Sequence, residues 1–341
     1  MTRIRVKWIA GISVTLLVAA AAVLQLGRGL EQSAYKAGVW LVPQHPPNAD
    51  VAVVGIDAAA LQKHGLWPWP RNILADLTSQ LAADKVRVIA FVPEFDGPQN
   101  TAALDYLRKF AALHAVNTDH EAAALVAHAQ SALDTDTRFA ESIQNAGNVV
   151  LAANAAFTSD SHGAALPVWL LFKVNVPHPD QIGIAGVFFN PIKVQLRPPL
   201  ARLGQAAEGV GYLPDSSLTG SQPLIVSDDK QLLPAFALLV AAQDLGLKNN
   251  DIIPHATGGI SLGDEYLFTD ESMRARPRDY AVDRGRNAIP VYAVDDVLEG
   301  KVPAENLTGK AVIVGLTTDT SGSRTLAAAG MVSSKIGRAH V

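Results

Sequence analysis

Six uninterrupted apolar residues, Val51-Ala-Val-Val-Gly-Ile56, run into Asp57, and Trp67-Pro-Trp-Pro-Arg71 follows shortly after. An unbroken apolar strand has to be covered on both faces, which is the condition of a parallel sheet enclosed by other elements. Each proline of the second motif holds its own φ and drives the residue before it into an extended shape. The motif is therefore a stiff rod with two large aromatic faces. It opens into a helix near Pro70, a residue type favoured in a first turn. That helix carries Ile73, Leu74, Leu77 and Leu81 on one stripe and leads to a second apolar strand, Val86–Phe91. Strand, helix and strand at this spacing predict a βαβ unit with a right-handed crossover.

The same reading extends along the chain. Pro98 to Asn145 is alanine-rich and helical in pattern, with Asp134, Thr135 and Asp136 as candidate N-caps of a last helix carrying Phe139 and Ile143. Asn148–Ala152 reads as a third strand. Prolines and glycines break Ser159–Pro199 into brief strands and loops. Pro234–Leu245 is apolar nearly all round, so a buried helix is expected there, with Gly246 just past its end. Val294–Leu298 makes a short helix closed by Gly300. Lys310–Leu316 is another buried strand whose pattern, K-A-V-I-V-G-L, echoes V-A-V-V-G-I-D, and the two are expected to be sheet neighbours. The fold class is α/β, with a mostly parallel central sheet built from the first, second and terminal strands and helices on both faces.

With 49% hydrophobic and 18% charged residues, the 341-residue chain is neither disordered nor, at a net charge of -4 without a basic stripe, a nucleic-acid binder. The absence of cysteine excludes disulfides, thiolate metal sites and cysteine catalysis. Trp8 to Gly27 holds no charged residue and follows Arg3, Arg5 and Lys7. Such a stretch spans the roughly 30 Å hydrocarbon layer and leaves the cations in the cytoplasm. The expected organisation is a cytoplasmic stub at 1–7, a transmembrane helix in contact with the lipid bilayer at 8–27, a stalk and proline-rich linker at 28–49, and an extracytoplasmic domain at 50–334. A cleaved signal peptide is the rival, since Ala20 and Ala22 loosely fit a cleavage site. Gly11, Thr15 and Ala19 recur every four residues, a spacing that permits close helix packing and a homodimer.

Several segments together resemble the type-two CHASE domain, an extracytoplasmic sensor of bacterial cyclases and histidine kinases. They are V-A-V-V-G-I-D at Val51, L-W-P-W-P-R at Leu66, V-R-V-I-A-F at Val86, A-G-N-V-V-L-A at Ala146 and G-V-G-Y-L-P-D at Gly209. The ending V-L-E-G-K-V-P at Val297 with L-T-G-K-A-V-I-V-G at Leu307 completes the order. The resemblance covers roughly Asp50 to Ser323 and implies a sensor input domain of the bacterial inner membrane, dimeric, with a cyclase or kinase output downstream. It also implies a carboxylate directly after the second strand. Here Val92 stands in that place, and Glu94 would have to replace the acid from a shifted position. The stretch Thr219-Gly-Ser-Gln-Pro-Leu224 lacks the family's arginine before P-L. The tail Ile336–Val341, I-G-R-A-H-V, resembles the translation of a common sequencing adapter, so 335–341 is expected to be non-native and the output domain missing.

Candidate ligand-binding residues each carry two readings. Asp57 lies at a strand's carboxyl end, where open α/β sheets place ligands, and Arg71 could reach it. That pair either lines a pocket or is an ion pair pinning the rod to the sheet. Trp67 and Trp69 either stack on a ligand or anchor the core. Tyr212 and Asp215 bracket Pro214 in a turn that is ordinary or sensing. His114, His120 and His128 sit at separations of six and eight, on different helix faces, so no metal site is expected. No cofactor motif and no nucleophile elbow is present. The leading expectation is a non-catalytic sensor of a small-molecule or envelope signal. An exported hydrolase using Asp57 and a histidine, and an anchored scaffold binding envelope proteins, are the alternatives.

Overall fold

A computed structural model describes residues 50–113, 119–157, 165–174, 176–179, 191–213, 221–228, 231–256, 258–270, 272–275 and 289–317. The expected segments 1–7, 8–27, 28–49 and 335–341, with Asp215 and His114, lie outside the described residues. Among the described residues no helix is long and apolar enough to cross a membrane.

The first strands are β1 (Val51–Ile56), β2 (Val88–Phe91), β3 (Val149–Phe157), β4 (Ile192–Arg197) and β5 (Gly209–Leu213). They are followed by β6 (Gln222–Pro223), β7 (Ile225–Asp228), β8 (Gln231–Pro234), β9 (Ile252–Pro254), β10 (Ile260–Leu262) and β11 (Glu265–Leu267). The last are β12 (Arg274–Ala275), β13 (Val291–Ala293) and β14 (Ala311–Leu316). Helices α1 (Ala58–His64), α2 (Arg71–Ala83), α3 (Thr101–Ala111), α4 (His120–Leu133) and α5 (Thr135–Ala146) occupy the first half. Helices α6 (Val168–Val174), α7 (Ala201–Ala206), α8 (Phe236–Asp244) and α9 (Val294–Leu298) occupy the second.

The main sheet runs β13-β1-β14-β2-β3-β4-β7-β8, with β5 on the other edge of β3. From β13 to β3, and between β3 and β5, every pairing is parallel. Every residue of β1, β2 and β14 is buried, as strands covered on both faces require. The echoing strands do lie side by side, and their patterns are in register: Val54 opposes Val314, Gly55 opposes Gly315 and Ile56 opposes Leu316. β14 lies between β1 and β2, so the βαβ unit spans one intervening strand.

Strand β3 is longer than its local pattern predicts, and its second half explains why. Val149–Leu151 pair with β2, after which the same edge is taken over by β4, antiparallel, from Asn154 to Phe157. The direction of the sheet therefore switches where β2 ends. Strand β2 in turn begins two residues later than expected, because Lys85 (φ 57) and Val86 close α2 by bonding back to Ala82 and Leu81.

Helix α8 meets its expectation of burial, with Phe236, Leu238, Leu239, Val240 and Ala242 inside. Its N-terminus is shifted, since Pro234 belongs to β8. It lies directly against β5, where a Cβ on Gly211 would stand 2.5 Å from the Phe236 Cα. Helix α6 was not legible within Ser159–Pro199. It starts just after Pro167, whose carbonyl accepts the Leu170 N–H at 2.9 Å. The three helices α3, α4 and α5 account for the long helical pattern, and α2 packs closely on α5. Beneath them Phe91, Phe95 and Phe139 form an aromatic triangle with centroids 5.3 to 6.0 Å apart in edge-to-face arrangement.

Candidate functional site

Beyond the carboxyl end of β1 the Trp-Pro segment links α1 to α2, and most polar groups there have an identifiable partner, the buried Arg71 Nε being an exception. Asp57 leaves β1 as the N-cap of α1, its Oδ1 accepting the Ala60 N–H at 2.8 Å. Such a cap satisfies one of the helix's orphan donors. Gly65 ends the helix at φ 95. Its carbonyl accepts the Trp69 indole N–H at 2.7 Å, so the rod folds back on the helix it follows. Trp69 is almost wholly buried, whereas Trp67, preceding a cis Pro68, is half-buried with its ring 6.0 Å from that of Trp69. Trp69 thus takes the core-anchor reading.

The expected ion pair is corrected. Arg71 does not pair with Asp57; its guanidinium bonds to Asp136 in the first turn of α5 and to the Gly97 carbonyl at 2.5 Å. Asp57 is engaged in its cap, and α2 packs on α5 rather than back towards α1. Both charges are buried, Arg71 at 4% and Asp136 at 6% exposure, and the guanidinium also lies over the Phe95 ring at 5.6 Å. Gln99 completes the arrangement. Its Oε1 accepts the Arg71 N–H at 2.9 Å and the Thr135 hydroxyl at 3.1 Å, and its Nε2 donates to the Trp69 carbonyl at 2.8 Å. The Asp136 Oδ2 accepts the Gln99 N–H at 2.9 Å. The pinning role read for Arg71 is therefore present with a different acid.

Sequence reasoning missed Asp136 and Gln99. Asp134, Thr135 and Asp136 all qualify as caps. The structure gives the cap to Asp134, whose oxygens accept the Thr137 N–H and hydroxyl, and this turns Asp136 inward.

On the solvent side, the His64 ring meets the edge of Trp69 at 5.0 Å, and its Nε2 lies 2.6 Å from Asp295 of α9. Lys63 bonds to Asp295 at 3.1 Å and Glu299 at 2.7 Å, and Lys301 reaches Glu299 at 2.5 Å. Burial works against ionising Asp295, but the bonds from His64 and Lys63 outweigh it and hold its carboxyl below the ordinary range. Lys301 and Lys63 together draw Glu299 down to about 2.

Glu94 occupies a separate place, just past β2 where the sheet changes direction. Its Oε2 accepts from the Asn154 side chain at 3.2 Å. Asn154 is the residue at which β3 passes from parallel to antiparallel pairing, opposite Arg197. Burial pushes the Glu94 carboxyl above its ordinary value, against the opposing pull of Asn154 and Arg197. Tyr212 is fully buried and donates its hydroxyl to the Pro223 carbonyl, and burial raises its phenol well above the usual range.

The seven sequence candidates therefore do not form one cluster. Trp69 and Arg71 come together around Gln99 and Asp136, with Trp67 beside Trp69; Asp57 caps a helix, Glu94 stands at the switch point, Tyr212 is in the core, and Asp215 lies outside the described residues. His120 and His128 are exposed on α4, and among the described residues no group of three or more acids and histidines could hold a metal ion. A family model described as the CHASE2 domain matches residues 12–333. No curated protein and no solved structure matches the chain.

Proposed function

The chain belongs to the CHASE2 domain family, a family of sensor domains of signalling receptors, and we propose that it is the extracytoplasmic input part of a bacterial membrane receptor. The single observation that carries this reading is the extent of the family match, which spans 12–333. In the proposed arrangement residues 8–27 anchor the chain in the inner membrane, and helices cover both faces of the sheet. A cyclase or kinase output lies downstream, and two copies pair.

The signal-binding place proposed is the carboxyl end of β2, beside Glu94, Asn154 and Arg197. Open α/β sheets accept ligands outside the carboxyl ends of their strands, and a half-buried carboxyl already pushed towards its neutral form can donate as well as accept a hydrogen bond. A ligand preferring one of two domain conformations would bias the pair of states, and that bias is what a membrane-linked output reads. The brace of Trp69, Gln99, Arg71 and Asp136 supports this as a rigid unit: it joins the β1 end of the sheet to α2 and α5. The exported-hydrolase reading names Asp57 as its acid, and that carboxylate is engaged as a helix cap.

Fusions of alkaline phosphatase or green fluorescent protein after Thr317 test the placement. Active phosphatase with dark fluorescent protein is expected in bacterial cells; the reverse pattern overturns the reading. Fusion to a cyclase output then tests signalling, and Glu94→Ala is expected to abolish any ligand response.

A further inference from the structure

Helices α3, α4 and α5 enclose an open cleft of about 720 Å³ that is separate from the brace and from the switch point. Three helix faces converge to make it. Leu104 and Arg108, four residues apart on α3, supply one wall, and Arg138 and Glu141, one turn apart on α5, supply another. Leu104 is buried and with Ala127 of α4 gives the cleft an apolar lining.

The charges around it are loosely committed. Arg138 bonds to Asp76 at 2.6 Å, but both side chains are more than half exposed, at 56% and 53%. Arg108 bonds to Asp105 at 2.9 Å with 61% and 53% exposure. Exposed pairs of that kind add little stability, so either guanidinium can be handed to a ligand at little cost. The guanidinium fork matches a carboxylate in two hydrogen bonds.

The acids in the cleft define the ligand further. Asp134 is held by its capping bonds and by Arg202 at 3.2 Å. Glu141 is exposed and stands one turn beyond Arg138 on the same helix. A purely anionic molecule would meet these two carboxylates, and a purely cationic one would meet the two arginines. We propose that this cleft binds a small zwitterion, a free amino acid or short peptide, with its carboxylate on Arg108 and Arg138 and its ammonium on Glu141. The cleft's size lies within the range of small-molecule sites, roughly 300 to 1,000 Å³. Hydroxyl and amide groups at Ser131 and Gln130 can bond a peptide linkage between the two charged ends.

Calorimetric titration of the purified full chain with L-alanyl-L-alanine and L-alanine tests the proposal, with acetate and methylammonium as the separated halves. Saturable heat is expected for at least one zwitterion and for neither half. Glu141→Gln and Arg138→Gln are each expected to weaken that binding about tenfold or more, while the chain melts at the parent temperature. The proposal is overturned by the absence of saturable heat for both zwitterions, by equal binding of acetate alone, or by unchanged affinity in both variants. Because binding is read directly, failure here leaves the receptor reading standing, and failure of the topology fusions leaves the cleft standing.

Discussion

Two charged clusters hold the segment between β1 and α2, and they differ in almost everything except their chemistry. Inside, Arg71 and Asp136 are nearly sealed from water, and each is bonded to further backbone groups. Outside, Lys63, Asp295, Glu299 and Lys301 form a chain of contacts of similar length, with Lys63 half exposed and Lys301 at 63%. Contact distance therefore says little about what each cluster does. An uncompensated charge in the interior has no water to turn to, whereas an exposed one exchanges its partner for solvent. The inner pair specifies how the rod sits; the outer one decorates the join of α1 and α9.

The contrast can be broken most forcefully at Asp136. Asp136→Ala leaves the Arg71 guanidinium buried and half satisfied, and a loss of about 3–5 kcal/mol is expected in urea unfolding. The paired variant Arg71→Met with Asp136→Leu removes both charges and is expected to recover most of that loss. If the single and the double variant unfold alike, the pair is not the constraint inferred here. Trp69→Phe is expected to cost less, about 1–2 kcal/mol, because the ring volume is partly kept while the bond to the Gly65 carbonyl is lost; the same urea titration measures it.

Glu94 sits between the two extremes and gives the contrast a pH signature. Its folded carboxyl is raised above 4.5, so the native state holds its proton more tightly than the unfolded chain. The stability it contributes is present below 4.5 and is lost as pH rises through the folded value. Glu94→Gln is therefore expected to stabilise the chain at neutral pH and to have little effect in acid, as read from paired melting curves. Equal shifts at both pH values would contradict the assignment.

The outer cluster should show the opposite sign and the smallest effect. Asp295 and Glu299 are depressed below 3.8 and 4.5, so their contribution is present above those values and disappears as pH falls towards about 2. Lys63→Ala is expected to leave the melting temperature at neutral pH unchanged within scatter. A shift as large as that of Asp136→Ala would mean that the surface contacts matter as much as the buried ones.

Much of the sheet was legible because its signals are local. β1 and β14 announce burial by uninterrupted apolar runs, and their shared V-G step places them in register. Gly246 and Gly300 mark the ends of α8 and α9 with positive φ, where glycine carries no Cβ penalty. Helix α6 was hidden because prolines and glycines around it look like a loop in one dimension. The candidate site was legible only as a set of residue types. Arg71 was expected to meet Asp57, and nothing local in the sequence pointed to Asp136 as its partner.

By itself, the amino-acid order determined which strands are interior, that the tryptophan–proline rod is stiff, and that the chain is of the α/β class. These follow from side-chain periodicity and from the fixed φ of proline, which act over a few residues. Only the tertiary structure chose the partner of Arg71, put β14 between β1 and β2, and brought β4 to the edge of β3 at Asn154. Those outcomes depend on how α5 docks against α2 and on where β2 stops, relations between segments tens to hundreds of residues apart that no local pattern encodes.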